Sequence, residues 1–116
     1  MFNSFEVRLL TELDALILVI LRDRGEPAHG SDLGKEAQIR TNDFVPAATL
    51  YRRLHELEDQ GYLAGDWEGA ERRQPHRGPQ RRYYRLTGQG SRAIRNYERL
   101  LALRVKALGW GLEPTQ

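Results

Sequence analysis

The sequence contains no cysteine, so neither a disulfide nor a thiolate metal site can be built from it, and the cytoplasm is the expected address. It has no apolar run near the roughly 20 residues that a membrane-spanning helix requires, and no membrane partner is expected. The opening stretch, MFNSFEVRLL, lacks the basic start and apolar centre of a secretion signal. Histidine is scarce. His29, His55 and His76 lie too far apart for the close pairing of a metal site, so neither a metal nor another cofactor is expected. No Ser-His or Cys-His constellation is visible, and Glu56, Glu58 and Asp59 read as helix-surface acids rather than a catalytic pair. The expectation is a protein that is not an enzyme.

One further absence is local. Between Arg72 and Arg85 there is no acidic residue, while six arginines occupy those fourteen positions. The whole chain of 116 residues carries a net charge of only +2, but the charge is segregated. Residues 1–71 hold 7 Lys and Arg against 14 Asp and Glu, a net −7; residues 72–116 hold 11 against 2, a net +9. Such segregation suits a polyanionic partner such as nucleic acid or an anionic membrane; a merely solvated basic face is the plain alternative. The length suits one domain with one modest core.

The period of the apolar residues sets the elements. Thr11 with Asp14 three residues on forms a capping-box pattern, and Leu13, Leu16, Ile17, Ile20 and Leu21 follow at helical spacing until Gly25 and Pro27. Gly30 opens a shorter helix, SDLGKEAQIR, in which Gly34 lowers helix propensity unless another backbone must come close. After a polar joint, Pro46 suits the first turn of a third helix that Gly61 stops. Ala47, Leu50, Leu54 and Leu57 make its apolar stripe; Ala48, Thr49, Arg52, His55 and Glu56 face away.

In YLAGDWEG the period changes to two, with Leu63, Gly65 and Trp67 on one side. RRYYRLT reads as the returning strand, with Tyr84 and Leu86 opposite Tyr83 and Arg85. Thr87 then caps a long final helix striped by Ile94, Tyr97, Leu101, Val105 and Leu108. The expected fold is mainly α with a two-stranded β-ribbon: a winged helix-turn-helix over residues 1–87, followed by a dimerisation helix and tail over 88–116. The arginine-rich loop is then the wing tip, its charge left for phosphates or a narrow minor groove.

HGSDLGKEA, ATLYRRLHELEDQGYL and RRYYRLTGQG, in that order and spacing, resemble the PadR family of transcriptional regulators over roughly residues 9–95. The resemblance implies a homodimeric DNA-binding regulator, usually a repressor, whose last helix packs on the partner's first. It also implies a phosphate contact for Tyr51. Where the family commonly reads Ser-Pro-Gly-Thr, this chain has Pro46, Ala47, Ala48 and Thr49.

The expected partners are therefore double-stranded DNA and a second copy of the chain. DNA contacts are expected from Ala48, Thr49, Tyr51, Arg52 and His55 on the third helix, and from Arg72, Arg73, Arg77, Arg81 and Arg82 on the wing. Ile94, Tyr97, Leu101, Val105 and Leu108 are the expected dimer contacts. Trp67 reads as core, while Trp110 is open to two roles, sealing that interface or lining a pocket for an unidentified small-molecule effector. His29 reads as satisfying a helix end. The competing reading is a winged-helix adaptor that binds another protein or an RNA. It has no need of Thr49, Tyr51 and Arg52 at the leading end of the third helix.

Two motif matches carry no chemistry. GQGSRA at Gly88 to Ala93 fits a dinucleotide fingerprint, but only a short tail follows the long helix, too little for the second parallel strand it needs. GSDLGK at Gly30 to Lys35 has Glu36 where a phosphate-binding loop needs Ser or Thr.

Overall fold

The computed structural model describes residues 10–67 and 82–110. Four helices, α1 (Glu12–Arg24), α2 (Gly30–Thr41), α3 (Ala47–Asp59) and α4 (Gly88–Ala107), are joined by a small sheet of β1 (Ala28–His29), β2 (Leu63–Trp67) and β3 (Arg82–Leu86). The expected ribbon is therefore one strand short. β1 adds antiparallel to β3, giving the order β1-β3-β2. Two residues carry too little alternation to announce a strand, and Ala28 and His29 become one only by pairing with Tyr84 and Tyr83.

α1 is the central element because it is apolar on almost every face. Ala15, Ile17, Leu18, Ile20 and Leu21 are buried, and Leu10, Leu13, Leu16 and Val19 pack partly against the same core. α2 contributes Leu33 and Ala37, α3 contributes Leu50, Leu54 and Leu57, the sheet contributes Leu63 and Tyr84, and α4 contributes Ile94. Ala47, expected in the stripe of α3, is instead exposed, because the first turn of that helix runs clear of the core.

The expected caps form. Thr11 Oγ1 accepts from the Asp14 N–H at 3.0 Å, and Asp14 Oδ2 accepts from the Thr11 N–H at 3.1 Å. Thr87 Oγ1 accepts from the Gly90 N–H at 2.9 Å and its hydroxyl donates to the Gly61 carbonyl at 2.7 Å, so one side chain both starts α4 and ties it to the end of α3. Gly90 makes this junction tight: a Cβ there would lie 2.1 Å from the Tyr62 carbonyl oxygen. Gly34 serves a similar close approach, but to a side chain rather than a backbone, since a Cβ would sit 2.7 Å from Leu50 Cδ2. Among the described residues, no helix is long and apolar enough to cross a membrane.

Candidate nucleic-acid interface

α3 is held from behind, and Ala48, Arg52 and His55 are exposed on its other face. Leu50, Leu54 and Leu57 bury its apolar stripe. Arg53 adds a polar anchor: its Nε donates to Asp14 Oδ1 at 2.7 Å and its Nη2 to Asp14 Oδ2 at 3.0 Å. Asp14 is only 2% exposed, so this forked pair fixes α3 against the first turn of α1 in a shielded setting. The aspartate's hydrogen bonds hold the Arg53 guanidinium above its already high pKa. Sequence reasoning assigned Asp14 to the cap alone and gave Arg53 no role. The available signal was that Arg53 lies three residues after Leu50, on the flank of the buried stripe.

The outward face of α3 carries the residues expected to meet DNA. Ala48 and Arg52 are exposed, as is His55, whose Nε2 lies 3.4 Å from Asp59 on the next turn. Thr49 is half-buried. Tyr51 is 46% exposed, and its ring lies against α2, where a Cβ on Gly30 would come within 2.7 Å of Tyr51 Cε1. Glycine at that position is what lets the tyrosine ring lie down beside α2 while part of it stays open to solvent.

Arg82 is placed differently from the expectation of a wing contact. It donates through Nε to Glu58 Oε1 at 3.2 Å and through Nη2 to Glu58 Oε2, while its guanidinium lies 4.9 Å from the Trp67 ring centroid. Both fork positions are engaged within the chain, and the pair fastens β3 to the end of α3. Trp67 is 52% exposed and forms the floor under that cation rather than part of the core. Gly65 leaves the room, since a Cβ there would meet Arg82 Nε at 2.6 Å. Arg72, Arg73, Arg77 and Arg81, the remaining wing contacts expected from the sequence, and His76 lie outside the described residues.

His29 precedes α2 but its side chain makes no capping bond; its ring stacks on Tyr83 at 4.0 Å between centroids. Tyr84 is buried, and burial pushes its hydroxyl above the usual tyrosine pKa. The tyrosine pair thus divides between core and sheet surface.

α4 has two distinct halves. Ile94, expected at a dimer contact, is fully buried in the chain's own core, and Tyr97 packs partly against it. The Arg22 guanidinium donates to both carboxylate oxygens of Glu98 at 2.9 Å, closing the contact with α1 and holding the glutamate below the usual carboxylate range. Beyond that clamp, Leu101, Leu103, Leu108 and Trp110 are all exposed, and Val105 is half-buried.

The arrangement is that of winged helix-turn-helix regulators, with a supported helix presenting its leading end to solvent beside a small sheet. The family model for the transcriptional regulator PadR-like family matches residues 17–96, and the chain belongs to that family. Among solved structures, it is similar to a PadR family transcriptional regulator from Eggerthella lenta at 31% identity, covering 87% of this chain and 84% of that one, with a TM-score of 0.64. A PadR-like transcription factor from Bacteroides fragilis is 27% identical over 84% of this chain and 86% of that one, with a TM-score of 0.69. A transcriptional regulator from Clostridium thermocellum shares the fold at a TM-score of 0.69 and 22% identity, covering 97% of this chain and all of the other. No match was found among the curated proteins.

Proposed function

We propose that this regulator is a homodimeric repressor that binds a two-fold DNA operator through α3 and the basic loop between β2 and β3. The observation that supports it is the division of labour between two adjacent arginines. Arg53 is committed to Asp14 and sets the pose of α3, whereas Arg52, next to it in the chain, stands exposed on the outward face, where a guanidinium can fork onto a guanine edge. Thr49 and Ala48 lie one turn ahead of it, near the leading end that enters a major groove. Tyr51 contacts a phosphate, and His55 reaches the flank of the same groove. Arg72, Arg73, Arg77 and Arg81 add sequence-independent affinity through phosphates; Arg82 acts from behind, by holding the sheet to α3.

A two-fold operator requires two such helices one DNA turn, about 34 Å, apart, and one chain supplies one. The exposed apolar half of α4 supports a partner surface, formed by Leu101, Val105 and Leu108, with Tyr97 at its margin and Trp110 sealing its end. Residues 1–87 are then the DNA-binding unit and 88–116 the dimerisation helix and tail. The experiment is selection of bound fragments from random duplex DNA, with the selected duplex footprinted and its complex sized by light scattering. A two-fold footprint and two chains per duplex are expected; a protein that enriches no sequence contradicts the reading.

A further inference from the structure

The leading end of α3 is uncharged and mostly apolar. Its first turn contains Ala47, Ala48 and Thr49, with no acidic or basic side chain before Arg52. Just ahead of it, Phe44 is 73% exposed. Its N–H donates to Asp43 Oδ1 at 2.9 Å, and the following Val45 packs partly against the core. Pro46 then starts the helix with φ −61°. An exposed phenyl ring therefore stands three residues ahead of two exposed alanines at the start of the helix.

We infer that Phe44, Ala47 and Ala48 form an apolar reading edge that packs on the C5-methyl groups of thymines in the operator half-site. The inference rests on the DNA-binding reading above and deepens it. Major-groove edges present hydrogen-bond donors and acceptors at every base pair, but only thymine presents a methyl group. A helix tip without polar groups beyond the Thr49 hydroxyl cannot discriminate among donors and acceptors. It can discriminate between a methyl and its absence, because apolar contact excludes water from both surfaces. Guanine recognition by Arg52 and thymine recognition by Phe44 then divide the half-site, with the thymines at the end that the leading edge of α3 approaches first.

The test changes the DNA by one methyl at a time. In the duplex selected from random DNA, each thymine is replaced in turn by uracil, which pairs identically but lacks the methyl. Affinity is measured by fluorescence anisotropy for the wild type and for Phe44→Ala. At one or two positions per half-site, uracil should weaken wild-type binding about fourfold, the equivalent of one buried carbon group of about 0.8 kcal/mol. At the position facing Phe44, the same replacement should cost Phe44→Ala little, because the ring that covered the methyl is already gone. Uracil without effect at every position overturns the inference while leaving DNA binding intact. So does an equal uracil penalty in both proteins at every sensitive position. Phe44→Ala weakening thymine and uracil duplexes alike would place the ring on the sugar-phosphate backbone instead, and a protein occupant would leave both duplexes unaffected by the substitution. Failure to bind any duplex strikes the DNA-binding reading itself. Uracil scanning of the wild type tests the methyl contact without any variant, and a thermal melt of Phe44→Ala confirms that the variant used to assign that contact is folded.

Discussion

Two neighbouring arginines on one helix have opposite surroundings, one exposed and one paired with a buried aspartate, and substitution should separate them. Arg53→Ala leaves the carboxylate of Asp14, 2% exposed, without its main counter-charge. Breaking a buried pair from one side costs about 3–5 kcal/mol; with the Arg53 side chain 18% exposed and the cap bonds retained, a loss of about 3 kcal/mol is expected by urea denaturation. Arg52→Ala should change stability by less than about 0.5 kcal/mol, since the residue is exposed. It should instead cost about 1–3 kcal/mol of operator affinity and relax preference at one base pair per half-site. Equal losses on operator and random DNA would remove Arg52 from the base-reading face. The pair was only half legible in the sequence. Helical spacing separated Arg52 from the apolar stripe, but the partner of Arg53 lies 39 positions away in the chain, and no local rule reaches that far.

At the level of elements, the junctions around α4 decide how its first half is seated. Gly90 faces a backbone carbonyl that cannot rotate away, so Gly90→Ala is expected to destabilise by about 3 kcal/mol, the upper part of the overpacking range. Gly88, two residues earlier, has its nearest neighbour at 3.8 Å, the end of the Arg92 side chain. Gly88→Ala should therefore be neutral or stabilising by up to about 1 kcal/mol, through helix propensity. If thermal melts ranked the two substitutions the other way, the tight α4 junction would be wrong. The Arg22–Glu98 clamp adds a small pH dependence. Hydrogen bonds from Arg22 lower the folded pKa of Glu98, so its contribution is complete above the unfolded carboxylate value and is lost as pH falls through the folded one. Both side chains are more than a third exposed, which limits the effect to under about 1 kcal/mol. Glu98→Gln should flatten the acid side of the stability curve by that amount.

The whole molecule is expected to work as a pair of chains on one duplex. Leu101→Glu places a carboxylate amid the exposed apolar half of α4 and should yield monomers or aggregates by light scattering, while the core around Ile94 and Tyr84 stays folded. A wild type that is monomeric at micromolar concentration would exclude that surface as a dimer contact. The basic loop is tested by salt. Every phosphate that an arginine no longer neutralises should reduce the slope of log K against log salt by about one unit per subunit. Replacing Arg73 and Arg77 together with alanine should therefore weaken operator and random DNA alike and flatten the slope. Unchanged slopes would show that the loop does not touch the duplex.

The order of the four helices and the two longer strands, the two threonine caps, the buried face of α3 from Leu50 to Leu57 and the family were all determined by the sequence, because each rests on residues close together or on a period that repeats within one element. Thr11 with Asp14, Thr87, and Leu50 with Leu54 and Leu57 are of that kind. The tertiary structure alone decided the rest. β1 exists because β3 offers it hydrogen bonds; Trp67 stays at the surface because Arg82 lies over it; Arg82 turns to Glu58 because α3 ends beside the sheet. The stripe on α4 read as one surface by its spacing, yet packing divides it at Glu98, with Ile94 taken into the core and Leu101 to Leu108 left outward. A hydrophobic period states that a face will be covered. What covers it depends on where the other elements stop, and that is a property of the folded chain.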